Sequence, residues 1–393
     1  MKKKNLLNLS YDELTKEITS IKEPEYRAGQ IFISLHKKNI NSIKDISDIP
    51  LQLREKLAES YFIPLLKNIK ITDSEQTVTK KFLFEINNSK DNMKINSSVG
   101  DGATPTEAVD DGKENYFIET VLISENDRET ICISTQVGCN VGCEFCATGK
   151  MGFRKNLDVG EIIAQVYEVK RLTGIEPTNI VYMGMGEPFL NYDNMLKSLK
   201  ILTHAKGMGL SSKRITVSTV GFVGKIRKFA DDIMLEENKS VKNVKLALSL
   251  HSTDNGLRES IIPTSVKNKL SDLYKEISYF YQKTKNKVTY EYIYFEGLND
   301  TDNDIKRLEK LLKMVPSNLN IIPFHPIDFE LNKPLDVFNI KKDKNNLLSN
   351  KKLFDFIAKL KNNKVVTNLR SSSGVDINAA CGQLAVKQLA VSS

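Results

Sequence analysis

Three of the five cysteines, Cys139, Cys143 and Cys146, stand together in the segment CNVGCEFC. At this C-x3-C-x2-C spacing three thiolates can converge on one metal centre, and thiolates suit zinc or iron–sulfur clusters. A structural zinc site needs a fourth ligand and usually has two C-x2-C knuckles, which this sequence does not offer. The residues therefore favour an iron–sulfur cluster, with a three-thiol zinc site or chance clustering as the alternative; a [4Fe–4S] cluster with three protein ligands would leave one iron open to a substrate.

Two cysteines lie outside this set, Cys132 just before it and Cys381 near the end of the chain. An odd number of cysteines argues against a scaffold of disulfides and favours metal or thiol chemistry. A lone cysteine is most often a small buried apolar side chain. Because these two are left over after the cluster set, they are also a candidate thiol pair.

A Gly-rich segment with one carboxylate, YMGMGEPFLN at residues 182–191, follows the predicted strand NIVYM. Gly184 and Gly186 allow the backbone to approach a ligand closely, and Glu187 can bind an ammonium group. An ordinary tight turn between a strand and a helix would explain the glycines but would not explain Glu187. Polar groups also follow two later predicted strands, at Ser218 in VSTVG and at Ser249, Leu250 and His251 in LSLHS.

The elements that position these residues alternate along the chain from Val159 onward. Amphipathic helices such as VGEIIAQVYEVKRL and DIKRLEKLLKMV separate apolar strands, and this pattern predicts a parallel sheet covered by helices. In barrels of this kind the active residues lie at the carboxyl ends of the strands. The predicted strands are NIVYMGM, RITVSTV, VKLALSL, VTYEYIYF, LNIIPF and KVVTNL.

Four regions are expected along the 393 residues. Residues 1–75 form a small, weakly basic helical accessory domain, and 76–124 form a β-hairpin linker. Within the linker the segment 88–115 is poor in aromatic residues and is expected to be a mobile insertion. Residues 125–362 form the core, and 363–393 hold a C-terminal strand and the Cys381 segment.

Composition sets broad limits on function. The formal charge of +8 mildly favours a polyanionic partner, but a solvated Lys-rich surface explains it equally well. No apolar stretch reaches the length of about 18 residues that a membrane span needs. Lys2, Lys3 and Lys4 are followed by no apolar signal segment, so we expect a cytoplasmic protein without membrane attachment.

Taken together, these residues resemble the RlmN/Cfr family of radical S-adenosylmethionine (SAM) RNA methyltransferases. The resemblance runs from EPEYRAGQIF to CGQLA and is most specific in CISTQVGCNVGCEFCATG, MGMGEPFLN and AACGQLA. It implies an α/β fold, a partial (βα)6 TIM-type radical SAM barrel with a small N-terminal helical accessory domain that binds RNA. It also implies a [4Fe–4S] cluster on the cysteine triplet and SAM as the second cofactor. The SAM contacts would come from Gly186, Glu187, Ser218, Ser249, Leu250, His251 and His325.

The resemblance further implies a ping-pong reaction that uses two SAM per turnover. Cys381 takes a methyl group from one SAM, and the cluster cleaves a second SAM to a radical that activates this S-methyl group. The carbon then joins the adenine ring, Glu119 accepts the ring proton, and Cys132 resolves the adduct through a transient disulfide. An exposed strand carboxylate is the alternative interpretation of Glu119.

The expected substrate is C2 of adenine 2503 in 23S rRNA, with C2 of adenine 37 in tRNAs as a second one. An external electron donor, flavodoxin-like or similar, and a monomeric enzyme are also expected. One alternative is Cfr-like methylation of C8 of the same rRNA adenine, which would confer antibiotic resistance, and a remote one is a non-catalytic, metal-stabilised RNA-binding module. His325 in IIPFHPID stands where the family usually has Asn, and NLRSSSGVD is closer to Cfr, whereas the proline of GEPFLN is typical of RlmN.

Overall fold

The structure is a computed structural model, and it describes residues 3–86, 115–339, 351–370 and 373–386. The insertion predicted at 88–115 lies outside these ranges except for its last residue. The division into four domains stays a prediction.

The N-terminal part is helical, as the sequence predicts. A capping box starts its first helix, in which the Ser10 side chain accepts from the Glu13 backbone N–H and Glu13 accepts from the Ser10 N–H. Two short strands pair in parallel next to these helices. The elements are β1 (Lys4–Asn5), α1 (Tyr11–Ser20), α2 (Tyr26–His36), α3 (Leu51–Ser60) and β2 (Tyr61–Phe62).

A ten-stranded sheet forms the centre of the described residues. Its first four strands are antiparallel, because β3 pairs with β4, β4 with β5 and β5 with β6. The predicted strands KKFLFEI and YFIETVLI are confirmed as β4 and β5, whereas β3 was not predicted. These strands are β3 (Lys67–Asp73), β4 (Thr79–Ile86), β5 (Tyr116–Glu125) and β6 (Arg128–Cys132).

From β6 onward the sheet is parallel, and strand and helix alternate. The six predicted strands of this part are confirmed, and the expected α/β fold with a parallel barrel-type sheet is confirmed with them. Its first strand, β6, was missed. The strands after β6 are β9 (Asn179–Tyr182), β10 (Ile215–Thr219), β11 (Lys245–Ser249), β12 (Val288–Tyr294), β13 (Ser317–Pro323) and β14 (Thr367–Leu369).

The helices of this part cover the sheet with their apolar sides. Together with the strands they bury one continuous core that also includes the apolar residues of α1, α2 and α3. These helices are α5 (Val159–Thr173), α6 (Tyr192–Thr203), α7 (Lys225–Ile233), α8 (Asn255–Ile261), α9 (Leu270–Thr284), α10 (Asp302–Leu312) and α11 (Lys351–Asn362). In the part of the chain that the structure describes, none of the helices has the length and apolar character to cross a bilayer.

The cysteine triplet lies in a loop that leaves and re-enters a small hairpin. The hairpin pairs β7 (Gln136–Gly138) with β8 (Phe153–Asn156), and the short helix α4 (Ala147–Lys150) precedes β8. The N-terminal part packs against the helix that follows this hairpin. There Asn5 and Asn8 donate to Asp158, which caps α5, at 3.2 Å.

Candidate active site

The triplet loop is held by backbone contacts at both of its ends. The Cys139 N–H donates to the Gly152 carbonyl at 3.0 Å, where the loop closes onto the hairpin. At the other end Cys146 is the N-cap of α4, and its N–H donates to the Cys143 carbonyl at 3.2 Å. The three cysteines therefore lie in one short loop that backbone hydrogen bonds hold at both ends.

Burial and mutual repulsion both act on these thiols. Burial raises the pKa of Cys143 well above its usual value, and the charges of Cys146 and Cys139 add to the rise, so the three sulfurs lie near one another. Backbone N–H groups of Val141 and Gly142 face the Cys139 sulfur and lower its pKa against the effect of burial. N–H groups directed at cysteine sulfurs are a feature of iron–sulfur sites.

A single metal ion makes a stricter geometric demand on the donor set than a cluster does. Among the described residues, no three His, Cys, Asp or Glu side chains gather closely enough to share one ion. A cluster makes no such demand, because each thiolate binds a different iron. Three neighbouring thiols, of which Cys143 is buried and Cys139 and Cys146 are partly buried, with N–H groups directed at the sulfurs of Cys139 and Cys146, therefore fit a [4Fe–4S] cluster.

The Gly-rich segment after β9 lies against the entrance of the hairpin. Gly186 has φ +96°, and a Cβ there would lie 2.5 Å from the Gln136 Cβ. The Gln136 Oε1 accepts from the Glu187 N–H at 2.8 Å, which fixes the backbone of the motif. Gly186 therefore has no room for a side chain against Gln136, and its predicted approach to a ligand stays a prediction.

Glu187 is buried at the edge of the triplet loop. Its carboxylate accepts from the Phe189 and Val220 N–H groups, each at 2.9 Å. Burial raises the pKa of Glu187 to about 7, although these backbone donors and Lys225 oppose the rise. Since Glu187 also raises the pKa of Cys139, the carboxylate lies beside the triplet, where it could hold a ligand ammonium.

Two of the predicted strand-end residues meet in the parallel sheet. The Ser218 and Ser249 hydroxyls are 3.4 Å apart on neighbouring strands β10 and β11. His251 follows at φ +53°, and its Nδ1 accepts from the Ile293 N–H at 3.1 Å. Burial lowers the pKa of His251 to about 3, so its imidazole is neutral. Its ring packs edge-on against Phe145 of the triplet loop, with the centroids 4.7 Å apart.

Arg258, which the sequence interpretation missed, holds these strand ends together. Its guanidinium donates to the carbonyls of Val220 at 2.5 Å and of Ser249 and Leu250 at 3.1 Å. It is 1% exposed, and burial lowers its pKa to about 10, whereas a thiolate at Cys143 opposes that effect. The segment GLRESII around it contains other polar residues, so no signal in the sequence marks Arg258 as buried.

His325 lies after β13, in the predicted position. It is buried, and burial lowers its pKa to about 4. Its imidazole is therefore neutral, like that of His251.

The segment that carries Cys381 docks onto the triplet loop. The Ala147 N–H donates to the Gly382 carbonyl at 2.7 Å, and the Thr148 hydroxyl donates to the Leu384 carbonyl at 2.6 Å. Gln383 closes the turn around Cys381, since its Oε1 accepts from the Ala380 N–H at 3.3 Å. Cys381 consequently lies next to Cys146, although the sequence places them far apart.

Cys132 is within electrostatic reach of Cys381. Burial raises the pKa of Cys132 to about 12, a charge on Cys381 adds to the rise, and Arg370 opposes it. Arg370, a second residue that the sequence interpretation missed, is 3.6 Å from Glu291 and 3.6 Å from the Met183 Sδ. The charges of Cys381, Glu291 and Cys132 raise its pKa, so one guanidinium faces both thiols.

Glu119 is buried, which excludes the alternative of an exposed strand carboxylate. It is 4% exposed, and its Oε1 pairs with the Lys81 ammonium at 2.9 Å. Burial raises the pKa of Glu119, and Lys81 lowers it. In the antiparallel pairing Leu83 opposes Glu119 and Cys132 opposes Val121, so Glu119 and Cys132 lie on the same face of the sheet.

A cleft of about 570 Å³ opens over this face. Strands β3, β4 and β5 line one side of it with residues that include Glu119 and Lys81. The C-terminal segment lines the other side on both sides of Cys381, with Asn378 before it and Gln383 after it. The candidate proton acceptor and the Cys381 segment thus border one opening.

Two sequence profiles match the chain. Residues 133–312 match the Radical SAM superfamily. Residues 4–63 match the Ribosomal RNA large subunit methyltransferase N-terminal domain. The first span contains the cysteine triplet and most of the parallel sheet, and the second contains α1, α2 and α3.

Full-length relatives agree with these profiles. The chain is 38% identical to the probable dual-specificity RNA methyltransferase RlmN of Thermotoga neapolitana, over 98% of each chain. It is 35% identical to the protein of the same name from Bacillus cytotoxicus, over 98% of this chain and 94% of that one. The crystal structure of a radical SAM methyltransferase from Sphaerobacter thermophilus superimposes with a TM-score of 0.79 at 32% identity, covering 97% of this chain and 99% of the other.

Proposed function

Since the chain belongs to the RlmN family of radical SAM methyltransferases, we propose that it methylates C2 of adenine 2503 in 23S rRNA and C2 of adenine 37 in tRNAs. The names of the relatives support RNA as the substrate. The observation that carries the proposal is the docking of the Cys381 segment onto the triplet loop, beside Cys132. A methyl carrier and a resolving thiol must meet at one place, and the electrostatic influence of Cys381 on Cys132 supports this pairing.

The cofactors of the family are a [4Fe–4S] cluster and SAM. In the proposal Cys139, Cys143 and Cys146 hold the cluster, and Glu187 holds the SAM ammonium. Gly186, Ser218, Ser249, Leu250, His251 and His325 complete the SAM site. When bound, the cluster and a second SAM supply the one-electron chemistry that removes a hydrogen atom from an S-methyl group and takes back one electron after the carbon–carbon bond has formed.

The protein's own residues then divide the reaction into steps. The Cys381 thiolate takes the methyl group of the first SAM and displaces S-adenosylhomocysteine. After this carbon has bonded to the adenine ring, Glu119 accepts the ring proton and the C–H electron pair stays on the ring. Cys132 attacks the Cys381 sulfur, the new disulfide replaces the C–S bond, and the released carbon takes a proton to become the methyl group. The positive charge of Arg370 favours the thiolate form of Cys132, because it lowers the pKa of this thiol against the effect of burial.

Nucleoside analysis tests the proposal directly. The protein is reconstituted without oxygen with iron and sulfide, given SAM, a reductant, and either a 23S rRNA fragment or tRNA, and the RNA is digested for mass spectrometry. We expect 2-methyladenosine from both RNAs. Formation of 8-methyladenosine alone would show the Cfr-like activity, and methylation of only one RNA would narrow the substrate to that RNA.

Changing Cys132 to Ala tests the order of the thiol steps. This variant lacks the resolving thiol, so we expect it to stay covalently bound to its RNA on a denaturing gel. Cys381→Ala is the matched control, which should form neither adduct nor product. Free release of methylated RNA by the Cys132 variant would contradict the assignment.

A spectrum separates the enzyme from a metal-stabilised RNA-binding module. The reconstituted protein should absorb broadly at about 400 nm, as thiolate-bound iron–sulfur clusters do. Cys143→Ala should lose this band, whereas a zinc-stabilised module would be colourless. An external electron donor, a monomeric state and a cytoplasmic location complete the proposal.

A further inference from the structure

Lys81 contacts both Glu119, the proposed proton acceptor, and the segment that carries Cys381. Its ammonium is 2.9 Å from the Glu119 Oε1 and also donates to the Asn378 carbonyl at 3.3 Å. Asn378 lies three residues before Cys381, in a turn with φ +53°. One side chain thus connects the proton acceptor on β5 with the segment that carries the methyl group.

The two oxygens of Glu119 are not equivalent. Oε1 is occupied by the ammonium, whereas Oε2 is buried and has no hydrogen-bond partner among the described residues. The Ala385 N–H lies near enough to lower the pKa of the carboxyl group. A proton acceptor needs an available oxygen on a carboxylate that cannot turn, and this arrangement provides one.

The strand geometry gives Lys81 this position. Lys81 opposes Val121 and Leu83 opposes Glu119, so Lys81 reaches Glu119 diagonally across the pair on the cleft face. The lysine next to it, Lys80, points to the other face and pairs with Asp73. Two adjacent lysines on one strand therefore provide a test residue and its control.

Other charged groups border the same cleft. They are Lys70 on β3, Asp328 after β13 and Asp376 before Cys381. Asp376 is turned toward β3 and β4, where its carboxylate accepts from the Ser74 hydroxyl at 2.7 Å. Among the described residues, Lys81 is the charged side chain that pairs with Glu119.

We propose that Lys81 is a positioning residue for the proton transfer: it holds Glu119 by one oxygen and the Cys381 segment by a carbonyl, so that the second oxygen faces the target base. This inference rests on the function proposed above. Lys81 takes no proton from the substrate and acts through Glu119. Its removal therefore impairs the second half of the reaction and leaves methyl transfer to Cys381 in place.

The pH profile supplies a readout that a structural role would not move. Glu119 accepts a proton only when ionised, burial raises its pKa, and Lys81 lowers it. Without Lys81 the pKa rises further, so the acid limb of the rate profile moves to higher pH. Arginine keeps the charge and should retain most of the wild-type profile.

The experiment uses the full-length reconstituted enzyme with Lys81→Met, Lys81→Arg and the control Lys80→Met. Mass spectrometry of the Cys381 peptide after incubation with SAM measures the first half-reaction, and nucleoside analysis at several pH values measures the whole. For Lys81→Met we expect methylation of Cys381 within about twofold of wild type and RNA methylation reduced by roughly 10- to 100-fold, because the loss of positioning removes part of the roughly 100- to 10,000-fold that a positioned base contributes. Lys80→Met should match the wild type in Cys381 methylation and in RNA methylation.

A double-variant cycle keeps the test valid if Lys81→Met also lowers stability. In the Glu119→Gln background the Lys81 change should have little further effect on RNA methylation, because both variants remove one function. Wild-type rate and pH profile in Lys81→Met would overturn the inference, and so would equal losses of Cys381 methylation and RNA methylation. A wild-type enzyme that forms no methyladenosine would overturn the proposed function together with the inference, whereas an active wild type with an unaffected Lys81 variant would overturn the inference alone.

Discussion

Gly186→Ala measures how closely the Gly-rich segment approaches the hairpin. A Cβ at this position would lie 2.5 Å from the Gln136 Cβ and 2.7 Å from the Gln136 backbone N. Neither atom can swing away like the tip of a flexible side chain. The positive φ adds about 1–2 kcal/mol for an L-residue, and the overpacking adds about 1–3 kcal/mol. We therefore expect the free energy of unfolding to fall by about 4 kcal/mol.

Gly297→Ala separates these two effects. Gly297 also has a positive φ, of +80°, but a Cβ there meets no atom within 4 Å. In Gly297→Ala the free energy of unfolding should therefore fall only by the backbone contribution of about 1–2 kcal/mol. Urea unfolding of both variants gives the difference, and equilibrium dialysis with SAM reports on Glu187, whose N–H is held by Gln136. Equal losses of stability, with unchanged SAM affinity in both variants, would refute the close contact.

Three further predictions concern other buried groups of the site and its supports. Arg258→Met removes the guanidinium donor from the carbonyls of Val220, Ser249 and Leu250, of which the Leu250 carbonyl keeps the Ser252 N–H at 2.7 Å, so unfolding in urea should show a loss of about 3 kcal/mol; a stability within error of wild type would contradict the role of Arg258. In Glu187→Gln the amide NH2 group faces a backbone N–H, of Phe189 or of Val220, so two donors meet and stability should fall by about 2 kcal/mol. SAM binding should also weaken, and an unchanged SAM affinity in equilibrium dialysis would count against an ammonium contact. Burial lowers the pKa of His36 to about 3, so the unfolded state takes up its proton first and stability falls as the pH drops from about 6.5 toward 3. By pH 5 this amounts to about 2 kcal/mol, and His36→Phe should reduce the pH 7 to pH 5 difference in urea unfolding by that amount; an unchanged difference would show that His36 does not titrate on unfolding.

The sequence predicted the parts of the fold that repeat. Apolar strands and amphipathic helices alternate clearly after Val159, and both kinds of element appear where they were expected. The strand β6 was missed because it is only five residues long, RETIC, and begins with two charged residues. Strand β3 was missed for a related reason, since its residues are mostly exposed or half-buried and it has no apolar stripe.

The candidate site was predictable where residue type and spacing carry the chemistry. The cysteine triplet, Glu187 and the serines at the ends of β10 and β11 could be singled out in this way, and their roles as ligands stay predictions. The clamping role of Arg258 was not predictable, because it depends on which carbonyls lie within reach after folding. Lys81 illustrates the same limit: alternation places it on the face opposite Phe82, but its partner Glu119 depends on the register of β4 with β5.

The contact of Arg370 with Met183 shows why the sheet must curve for the chemistry to work. Arg370 follows β14 and Met183 follows β9, and the sheet order places five strand spacings between these two strands. In a flat sheet that separation is about 24 Å, yet the guanidinium is 3.6 Å from the Met183 sulfur. Curvature therefore brings the end of β14, and with it the Cys381 segment, back over the ends of β6 and β9. Because Cys132 ends β6, a substitution that opens the sheet would separate the two thiols while leaving the cysteine triplet intact.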